Sequence, residues 1–346
     1  MKMRMDLIKR HFFENRAKYD MQVHDEKEIS CTIYAINTQE YGKLNYLIGD
    51  KTGFRYLLQK GRNEYFDSIH RERLRSLRNI LMEGKCDHLM KNMLAWREVE
   101  ISSEPYLMFD YVHVPTVYAI IRGRLLWRTS TLIHCVDRSL DFCLKLEQAK
   151  KFESRLERGS APIIETFRKS YGEDEYNQIR RDFEPSIKDA RDISFSVGIV
   201  HNDLGTTNFI MRRGKYWVVD WEYWSTSLEI FNFFDVLCAY SSLLTVRLLA
   251  RRSIQNFLSA FRQGFNDRKQ KLLRKCGEYA KKIGYDQYSP SVMENVFFLY
   301  LMNKSICQYR VYGCHFSFDQ FWFSILKQAV EDRSALEGFW DRMITC

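Results

Sequence analysis

The sequence predicts an α+β fold in which a small antiparallel sheet precedes a larger, mainly helical portion. Short alternating segments bounded by turns fill residues 31–112, whereas a helical period dominates from residue 124 onward. A His-Val-Pro break at residues 113–115 separates the two regions. With 346 residues, 45% of them hydrophobic and 15% aromatic, the chain has the composition of a folded protein and not of a disordered one.

The first thirty residues are highly charged but contain a small set of apolar side chains, Leu7, Ile8, Phe12 and Phe13. We therefore expect residues 1–30 to form an N-terminal helical extension whose apolar residues pack on the sheet. A short amphipathic helix that lies on the surface of a bilayer is the alternative.

Residues 31–112 predict five strands and one helix. The strands are expected at Cys31–Ile36, Asn45–Ile48, Phe54–Gln59, Ala95–Ile101 and Tyr106–Val112. The helix is expected at Ser68–Glu83, where apolar residues recur with a helical period, and Asp67 or Ser68 is expected to cap it.

The most informative stretch begins at His201. It reads H-x-D-x4-N, with Asp203 and Asn208, and a second aspartate, Asp220, follows the first by 17 residues. The spacing predicts a strand, a turn and a second strand between Asn208 and Asp220. Two carboxylates and one carboxamide on such a frame suit phosphoryl transfer, because one carboxylate can orient an attacking hydroxyl while hard oxygen donors bind Mg²⁺.

This pattern resembles the aminoglycoside phosphotransferase and choline kinase superfamily, the small-molecule branch of the protein-kinase-like fold. The resemblance lies in the motifs over residues 203–235 and is fainter over residues 33–112. It implies a protein-kinase-like two-lobed fold, with a small N-terminal antiparallel sheet lobe at residues 31–112 that covers the nucleotide. A large, mainly helical C-terminal lobe at residues 113–346 is expected to hold the catalytic loop, the metal site and the acceptor-binding helices. The implied cofactors are ATP and Mg²⁺.

The resemblance also implies roles for the residues of the motif. Asp203 is expected to orient the acceptor hydroxyl, and Asn208 and Asp220 are expected to bind Mg²⁺. Asp235 is expected to brace the catalytic loop by hydrogen bonds. His201 is interpreted as a second brace and not as a base, because it precedes Asp203 by two residues.

Nucleotide contacts are implied in the N-terminal region. A lysine on the third strand and a glutamate on the following helix are expected to hold the phosphates, and Lys60 and Glu72 are the candidates. Strand alternation leaves open that Gln59, and not Lys60, fills this position. Backbone groups of three consecutive residues are expected to meet adenine, namely Asp110, Tyr111 and Val112.

Two features argue against a protein kinase. Gly205 stands two residues after Asp203, where protein kinases carry a lysine, and no Ala-Pro-Glu follows Asp220. The leading prediction is therefore an ATP- and Mg-dependent phosphotransferase, a kinase that acts on a hydroxyl of a small molecule or glycan. A catalytically silent kinase-like binding protein is a second hypothesis, because the loop after the first strand lacks G-x-G-x-x-G and the role of Lys60 is uncertain.

The net charge of +9 favours an anionic partner, and so indicates a sugar or a sugar-containing, lipid-linked glycan as the acceptor. A solvated basic face explains the charge equally well. Nucleic-acid binding is not favoured, because no aromatic-basic RNA motif accompanies the charge.

A choline or ethanolamine kinase is the alternative enzyme, since aromatic side chains near the C-terminus can cage a quaternary amine. Core packing is the simpler interpretation of these side chains. These aromatic residues are Tyr309, Tyr312, Phe316, Phe318, Phe321, Trp322 and Phe323.

The nine cysteines are irregularly spaced and form no C-x-x-C pair, which argues against a disulfide framework and against a zinc site. No stretch has the apolar core of a signal peptide or the length of a membrane span. We therefore expect a cytoplasmic protein, and peripheral contact with the inner face of a membrane is left open.

Overall fold

The computed structural model describes residues 2–36, 43–112, 129–148, 152–189, 193–212, 215–245, 267–312, 320–331 and 338–345. The chain divides into two compact units. The first comprises Met1–Ile80 with Met90–Val114, and the second comprises Leu81–Leu89 with Pro115–Cys346. The boundary predicted at residue 113 and the loop at residues 37–42 lie outside the described residues.

The first unit contains a five-stranded antiparallel sheet in the order β1-β2-β3-β5-β4. Its strands are β1 (Ser30–Ile36), β2 (Lys43–Asp50), β3 (Gly53–Gly61), β4 (Trp96–Ile101) and β5 (Glu104–Asp110). The turn between β2 and β3 requires glycine at two positions: Gly53 has a φ of 127°, and a Cβ at Gly49 would lie 2.2 Å from the Gly53 carbonyl oxygen. All five predicted strands are present.

Helix α1 (Lys2–Glu14) belongs to the core of this unit. Ile8 and Phe12 are fully buried, and the Phe12 ring lies 4.5 Å from the ring of Tyr19. Their neighbours in the core include Tyr46, Leu58 and other apolar residues of the sheet. Burial of each large apolar side chain contributes about 1.5–3 kcal/mol, so packing on the sheet, as predicted, accounts for the apolar residues of this helix.

Helix α2 (Glu64–Glu83) begins four residues before the predicted start, and α3 (Asp87–Met90) follows it. The prediction that Asp67 or Ser68 caps this helix is wrong, because both residues lie inside it. The Asn63 side chain accepts a hydrogen bond from the Tyr65 N–H at 2.9 Å, as a capping residue does. The Asp67 carboxylate instead accepts from the Gly61 N–H at 2.7 Å and so ties the helix to the end of β3.

The second unit is mainly helical. Its helices are α4 (Thr129–Glu147), α5 (Leu156–Tyr171), α6 (Glu173–Asp189), α7 (Ile230–Thr245), α8 (Asp267–Lys282), α9 (Pro290–Tyr312), α10 (Gln320–Glu331) and α11 (Phe339–Thr345). The middle of α9 is buried around its whole circumference, with consecutive residues 296–306 all shielded from solvent. A helix that is enclosed in this way forms the centre of its unit.

Two small sheets accompany these helices. Strands β6 (Phe152–Arg155), β7 (Ser194–Val200) and β10 (Ser225–Leu228) form an antiparallel sheet in the order β10-β7-β6. Strands β8 (Phe209–Arg212) and β9 (Lys215–Val218) form the hairpin predicted between the two aspartates. Strands β6, β7 and β10 were not predicted. In the described part of the chain, no helix is long and apolar enough to cross a membrane.

Candidate active site

Strand β7 leads the chain into the candidate site. It is buried between β6 and β10 and ends at Val200, so that residues 201–203 emerge where the apolar strand stops. Asn202 has a φ of 63°, in the left-handed region that asparagine tolerates better than most residues. Its amide nitrogen donates to the Tyr223 carbonyl and to the Ser225 hydroxyl, each at 2.8 Å, and these bonds hold the turn.

His201 is a fixed, neutral brace of this turn. Its Nδ1 accepts from the Asp203 N–H at 3.2 Å, so its Nε2 carries the proton that is donated to the Val219 carbonyl at 3.0 Å. Burial lowers the pKa of His201 despite the nearby carboxylates of Asp203 and Asp235. Both ring nitrogens therefore serve the loop, and the imidazole ties the residues before Asp203 to the end of the β8–β9 hairpin.

Asp203 and Asn208 are in direct contact. The Asn208 amide nitrogen donates to the Asp203 carbonyl and to the Asp203 carboxylate, in each case at 2.8 Å. The carboxylate is nevertheless open to solvent, since 43% of the Asp203 side chain is exposed. Burial raises the pKa of Asp203, Lys304 opposes this rise and Asp235 adds to it. The result is an oriented carboxylate with one open side, as a residue that receives a hydroxyl proton requires.

Helix α7 braces the same loop from below. Asp235 accepts from the Leu204 N–H at 2.9 Å, which is the bracing role predicted for it. Asn232 accepts from the His201 N–H and donates to the Ile199 carbonyl, both at 2.9 Å. One helix thus satisfies backbone groups on both sides of the turn, because Asn232 and Asp235 are three residues apart and share a helical face.

Helix α9 contributes three polar side chains to this network. Tyr300 donates to Asp235 at 2.7 Å, and Asn303 donates to the Asn202 side-chain oxygen at 2.6 Å. The Lys304 ammonium donates to the Asn202 carbonyl and lies 3.2 Å from Asp235 Oδ1 and 3.5 Å from Asp203 Oδ1. The loop at residues 201–208 is therefore held by side chains of two helices, α7 and α9.

Asp220 follows β9 and is exposed. Its backbone is left-handed, with φ 63° and ψ 58°, a conformation that aspartate and asparagine adopt more readily than other residues with a side chain and that is often found at functional sites. The Val219 N–H donates to the Asn208 carbonyl at 3.0 Å, which links the two ends of the hairpin. The negative charge of Asp220 also contributes to the raised pKa of Asp203, whose direct contacts are with Asn208 and Lys304.

The residues of this loop fit a divalent cation of the Mg²⁺ class. The Asn208 amide nitrogen is directed at Asp203, so the amide oxygen lies on the opposite side of the planar group, and Asp220 supplies an exposed carboxylate. Both are hard oxygen donors. Among the described residues, no group of three or more His, Cys, Asp and Glu side chains is arranged to hold a metal. A cation bound here would therefore take its remaining ligands from water and phosphate, as Mg²⁺ commonly does.

In the first unit, the predicted pair of Lys60 and Glu72 is not formed. The Lys60 ammonium lies 3.4 Å from Glu104 and 5.1 Å from the centre of the Tyr106 ring, whereas Glu72 is exposed. The physical reason is strand alternation, because Lys60 shares the sheet face of the buried Leu58. The nucleotide role of both residues remains a prediction.

Gln59 faces α2 in place of Lys60. Its side-chain oxygen lies 3.0 Å from His70 Nε2, and its amide nitrogen donates to Asn45 at 3.0 Å. The alternative that Gln59, and not Lys60, faces the helix is thus the arrangement observed.

The three residues predicted to meet adenine lie at the end of β5. The Asp110 N–H donates to the Ala95 carbonyl at 3.2 Å, and the Tyr111 N–H donates to the Arg55 carbonyl at 2.7 Å. Val112 is half-buried. Two of the three N–H groups are therefore used within the sheet, and contact with a nucleotide base remains a prediction for this segment.

The aromatic residues near the C-terminus pack against each other and against lysines where they are described. The Phe323 ring stacks on Tyr171 at 4.6 Å and lies 4.9 Å from the Lys327 ammonium. The Trp322 ring lies 4.8 Å from the Lys304 ammonium. Phe316 and Phe318 lie outside the described residues, as do the side chains of Tyr312 and Phe321. The described members thus support the interpretation as core packing.

Comparison with known proteins places the fold. No family model and no curated protein matches the sequence. A choline kinase from Cryptosporidium parvum Iowa II is similar with a TM-score of 0.52 and 11% identity, over 96% of this chain and 97% of that chain. The chain adopts the protein-kinase-like fold. Weaker similarity extends to an ADP-bound aminoglycoside phosphotransferase, with a TM-score of 0.44, 12% identity and coverage of 93% and 97%. A choline/ethanolamine kinase family protein from Mesorhizobium loti is similar with a TM-score of 0.46 and 11% identity, over 92% of this chain and 93% of that chain.

Several site residues were missed in the sequence, and each left a signal. Asn303 and Lys304 interrupt an otherwise apolar helical run, and such residues in a buried helix must find polar partners. Asn232 precedes Asp235 by three residues within the apolar start of α7. Buried polar residues in apolar helices therefore mark the structural support of this site.

Proposed function

We propose that the protein is an ATP- and Mg-dependent phosphotransferase that moves the γ-phosphate to a hydroxyl of a small molecule or glycan. The observation that carries the proposal is the Asp203 carboxylate, which is fixed by Asn208, bordered by Lys304 and still 43% exposed. A carboxylate that is held on one side and open on the other can orient an attacking hydroxyl and receive its proton.

The other side chains of the loop suit the negative charge of the phosphate groups in such a reaction. Asn208 and Asp220 would hold Mg²⁺, which when bound neutralises the phosphate oxygens. His201 is neutral and keeps the loop in one geometry without competing for the substrate proton. Hydrogen bonds of the Asn202 and Asn208 side chains already hold the loop, so it is organised before the substrates arrive.

A sugar or a sugar-containing, lipid-linked glycan is the acceptor that we favour. The chain carries a net charge of +9, and the cation beside Asp203 disfavours a positively charged acceptor. The Trp322 ring, which a quaternary amine would need in an aromatic cage, is already in contact with the Lys304 ammonium. A choline or ethanolamine kinase is for this reason not favoured.

The proposal is tested by measuring Mg-dependent ATP consumption with a panel of neutral sugars, lipid-linked glycans, choline, ethanolamine and aminoglycosides. Asp203→Ala is expected to abolish transfer and leave the affinity for Mg-ATP little changed, because Asp203 acts on the acceptor side. Glu165→Ala, at an exposed helix position, is the matched control and should retain full activity. If Asp203→Ala kept full activity with the same acceptor, the catalytic assignment would be wrong.

A catalytically silent kinase-like binding protein is the second candidate. It is favoured by one observation, the engagement of Lys60 with Glu104 in place of Glu72. A thermal shift with Mg-ATP separates the two candidates when it is combined with the turnover assay. Binding without turnover across the whole panel supports the silent protein, whereas turnover with any acceptor that Asp203→Ala abolishes eliminates it.

A further inference from the structure

Lys304 brings a positive charge to a loop whose own sequence supplies none beside Asp203. Protein kinases carry a lysine two residues after the equivalent aspartate, and Gly205 stands there in this chain. Lys304 comes instead from α9, about a hundred residues later in the sequence. Its side chain is only 4% exposed, so the ammonium is kept within the protein and does not extend into solvent.

Three contacts fix the position of this ammonium. It donates to the Asn202 carbonyl, it lies 3.2 Å from Asp235 Oδ1, and its approach is lined by the Trp322 ring at 4.8 Å from the ring centre. Burial works against the charge of Lys304, but the carboxylates of Asp235 and Asp203 outweigh it and raise the pKa of the lysine. The cation is therefore retained at neutral pH.

The geometry around Asp203 divides its carboxylate between two partners. Oδ2 accepts from the Asn208 amide at 2.8 Å, and Oδ1 lies 3.5 Å from the Lys304 ammonium. Asp235 is buried and fully engaged, whereas Asp203 is the partner of Lys304 that remains open to solvent.

On the basis of the proposed function, we propose that Lys304 is a positioning residue for phosphoryl transfer, an ammonium delivered by α9 that holds the Asp203 carboxylate in the orientation needed by the acceptor hydroxyl. It replaces, from a distant helix, the cation that the loop lacks at Gly205. Lys304 does not contact the residues proposed to bind the metal, so its effect should fall on the rate of transfer and not on the binding of Mg-ATP.

Lys304→Met keeps the length of the side chain and removes its charge. We expect kcat to fall about 100-fold, the loss typical of a misplaced reacting group, while KM for ATP stays within about twofold. Lys304→Arg, which retains the charge, should recover part of kcat. In Lys304→Ala, added ethylammonium should restore activity in a saturable manner, whereas sodium at the same ionic strength should not. Lys275→Met, at a surface lysine paired with Glu278, is the matched control.

A purely structural role for Lys304 predicts a different result. Loss of the lysine leaves Asp235 as a buried, uncompensated charge, which alone can destabilise the fold. The double variant Lys304→Met with Asp235→Asn removes both charges, and its thermal unfolding midpoint shows whether folding is restored. If transfer returns together with folding in the double variant, the positioning role is refuted. If folding returns and transfer stays below that of Asp235→Asn alone, the role is supported.

Different results would refute the phosphotransferase activity and the role of Lys304. No turnover by the wild-type protein with any acceptor overturns the proposed phosphotransferase and, with it, a role for Lys304 in transfer. Turnover by the wild-type protein that Lys304→Met retains in full leaves the phosphotransferase intact and refutes Lys304 alone. An increase in KM for ATP with unchanged kcat also refutes it, because a nucleotide contact and not the orientation of Asp203 would then explain the loss.

Discussion

The Asn208 amide nitrogen donates to both the backbone carbonyl and the side-chain carboxylate of Asp203, at 2.8 Å in each case. The same amide group therefore fixes the proposed base with its nitrogen and presents its oxygen to the proposed metal. Since both functions reside in one planar group, a change that keeps the oxygen and removes the nitrogen separates them.

Asn208→Asp is expected to bind the cation at least as tightly as the wild-type protein but to lower kcat about 100-fold. The variant keeps an oxygen ligand, but it replaces the donor to Asp203 with a repelling carboxylate. Metal affinity is measured by titration calorimetry and kcat by coupled assay. Asn208→Ala, which loses both functions, is the comparison, and equal rates for Asn208→Asp and the wild type would contradict the role of the amide nitrogen.

Asp220→Ala and Asp220→Asn are expected to differ in stability although both weaken metal-dependent nucleotide binding. The backbone at Asp220 is left-handed, which alanine adopts at a cost of about 1 kcal/mol and asparagine tolerates. Urea denaturation should thus show the alanine variant to be the less stable of the two. Undiminished nucleotide affinity in both variants would exclude Asp220 as a ligand.

Lys269→Met is expected to stabilise the protein at pH 7, on the order of 2 kcal/mol. Burial, together with the nearby positive charge of Arg342, lowers the pKa of Lys269 to about 8. Between pH 8 and 10.5 the unfolded chain retains a proton that the folded chain has lost, so wild-type stability should rise with pH in this window.

Denaturation at pH 7 and at pH 10 checks both parts of this expectation. The Lys269→Met variant should lack the rise that the wild type shows. Lys275→Met serves as the control, because the Glu278 side chain raises the pKa of Lys275 and no comparable gain is expected. A destabilised Lys269→Met at neutral pH would show that contacts of this lysine outweigh the cost of its charge.

Phe12→Ala is expected to destabilise the first unit by about 3–5 kcal/mol, because the ring is fully buried among sheet residues. Thermal unfolding followed by near-ultraviolet circular dichroism would report the loss. Met3→Ala, on the same helix but with a side chain that is 77% exposed, should change stability by less than about 0.5 kcal/mol. Similar effects for the two variants would mean that α1 is not part of the core.

The sequence predicted the strands and helices well because their signals are local. Alternation over residues 31–61 and the helical period of residues 68–83 each depend on a few neighbouring positions. The cap of α2 was misplaced because Asp67 has the chemistry of a cap but is drawn to the Gly61 N–H, a partner on another element. Strands β6, β7 and β10 escaped prediction because they pair with one another across long stretches of sequence, whereas the short strands β8 and β9 are close neighbours on either side of Arg213-Gly214.

The candidate site was predictable only as far as its residues are close in sequence. Asp203, Asn208 and Asp220 belong to one motif, and hydrogen bonds join Asn208 to Asp203 and to Val219, the residue before Asp220. The sequence could not decide whether Lys60 or Gln59 lies on the side of the sheet that faces α2. Neighbouring residues of a strand lie on opposite faces, so a shift of one residue exchanges the two. Lys304 stands out as a polar residue in an apolar helical run, but nothing near Asp203 in the sequence indicates that this helix is the one that contacts the loop.

The central position of α9 has a consequence for the newly made chain. Asn202 and Asp203 leave the ribosome about a hundred residues before the lysine and asparagine that complete their surroundings. A nascent chain that contains the whole H-x-D-x4-N motif would thus still lack its ammonium, and contacts so distant in sequence are slow to form. Synthesis itself delays the moment at which the protein can begin to act on a substrate.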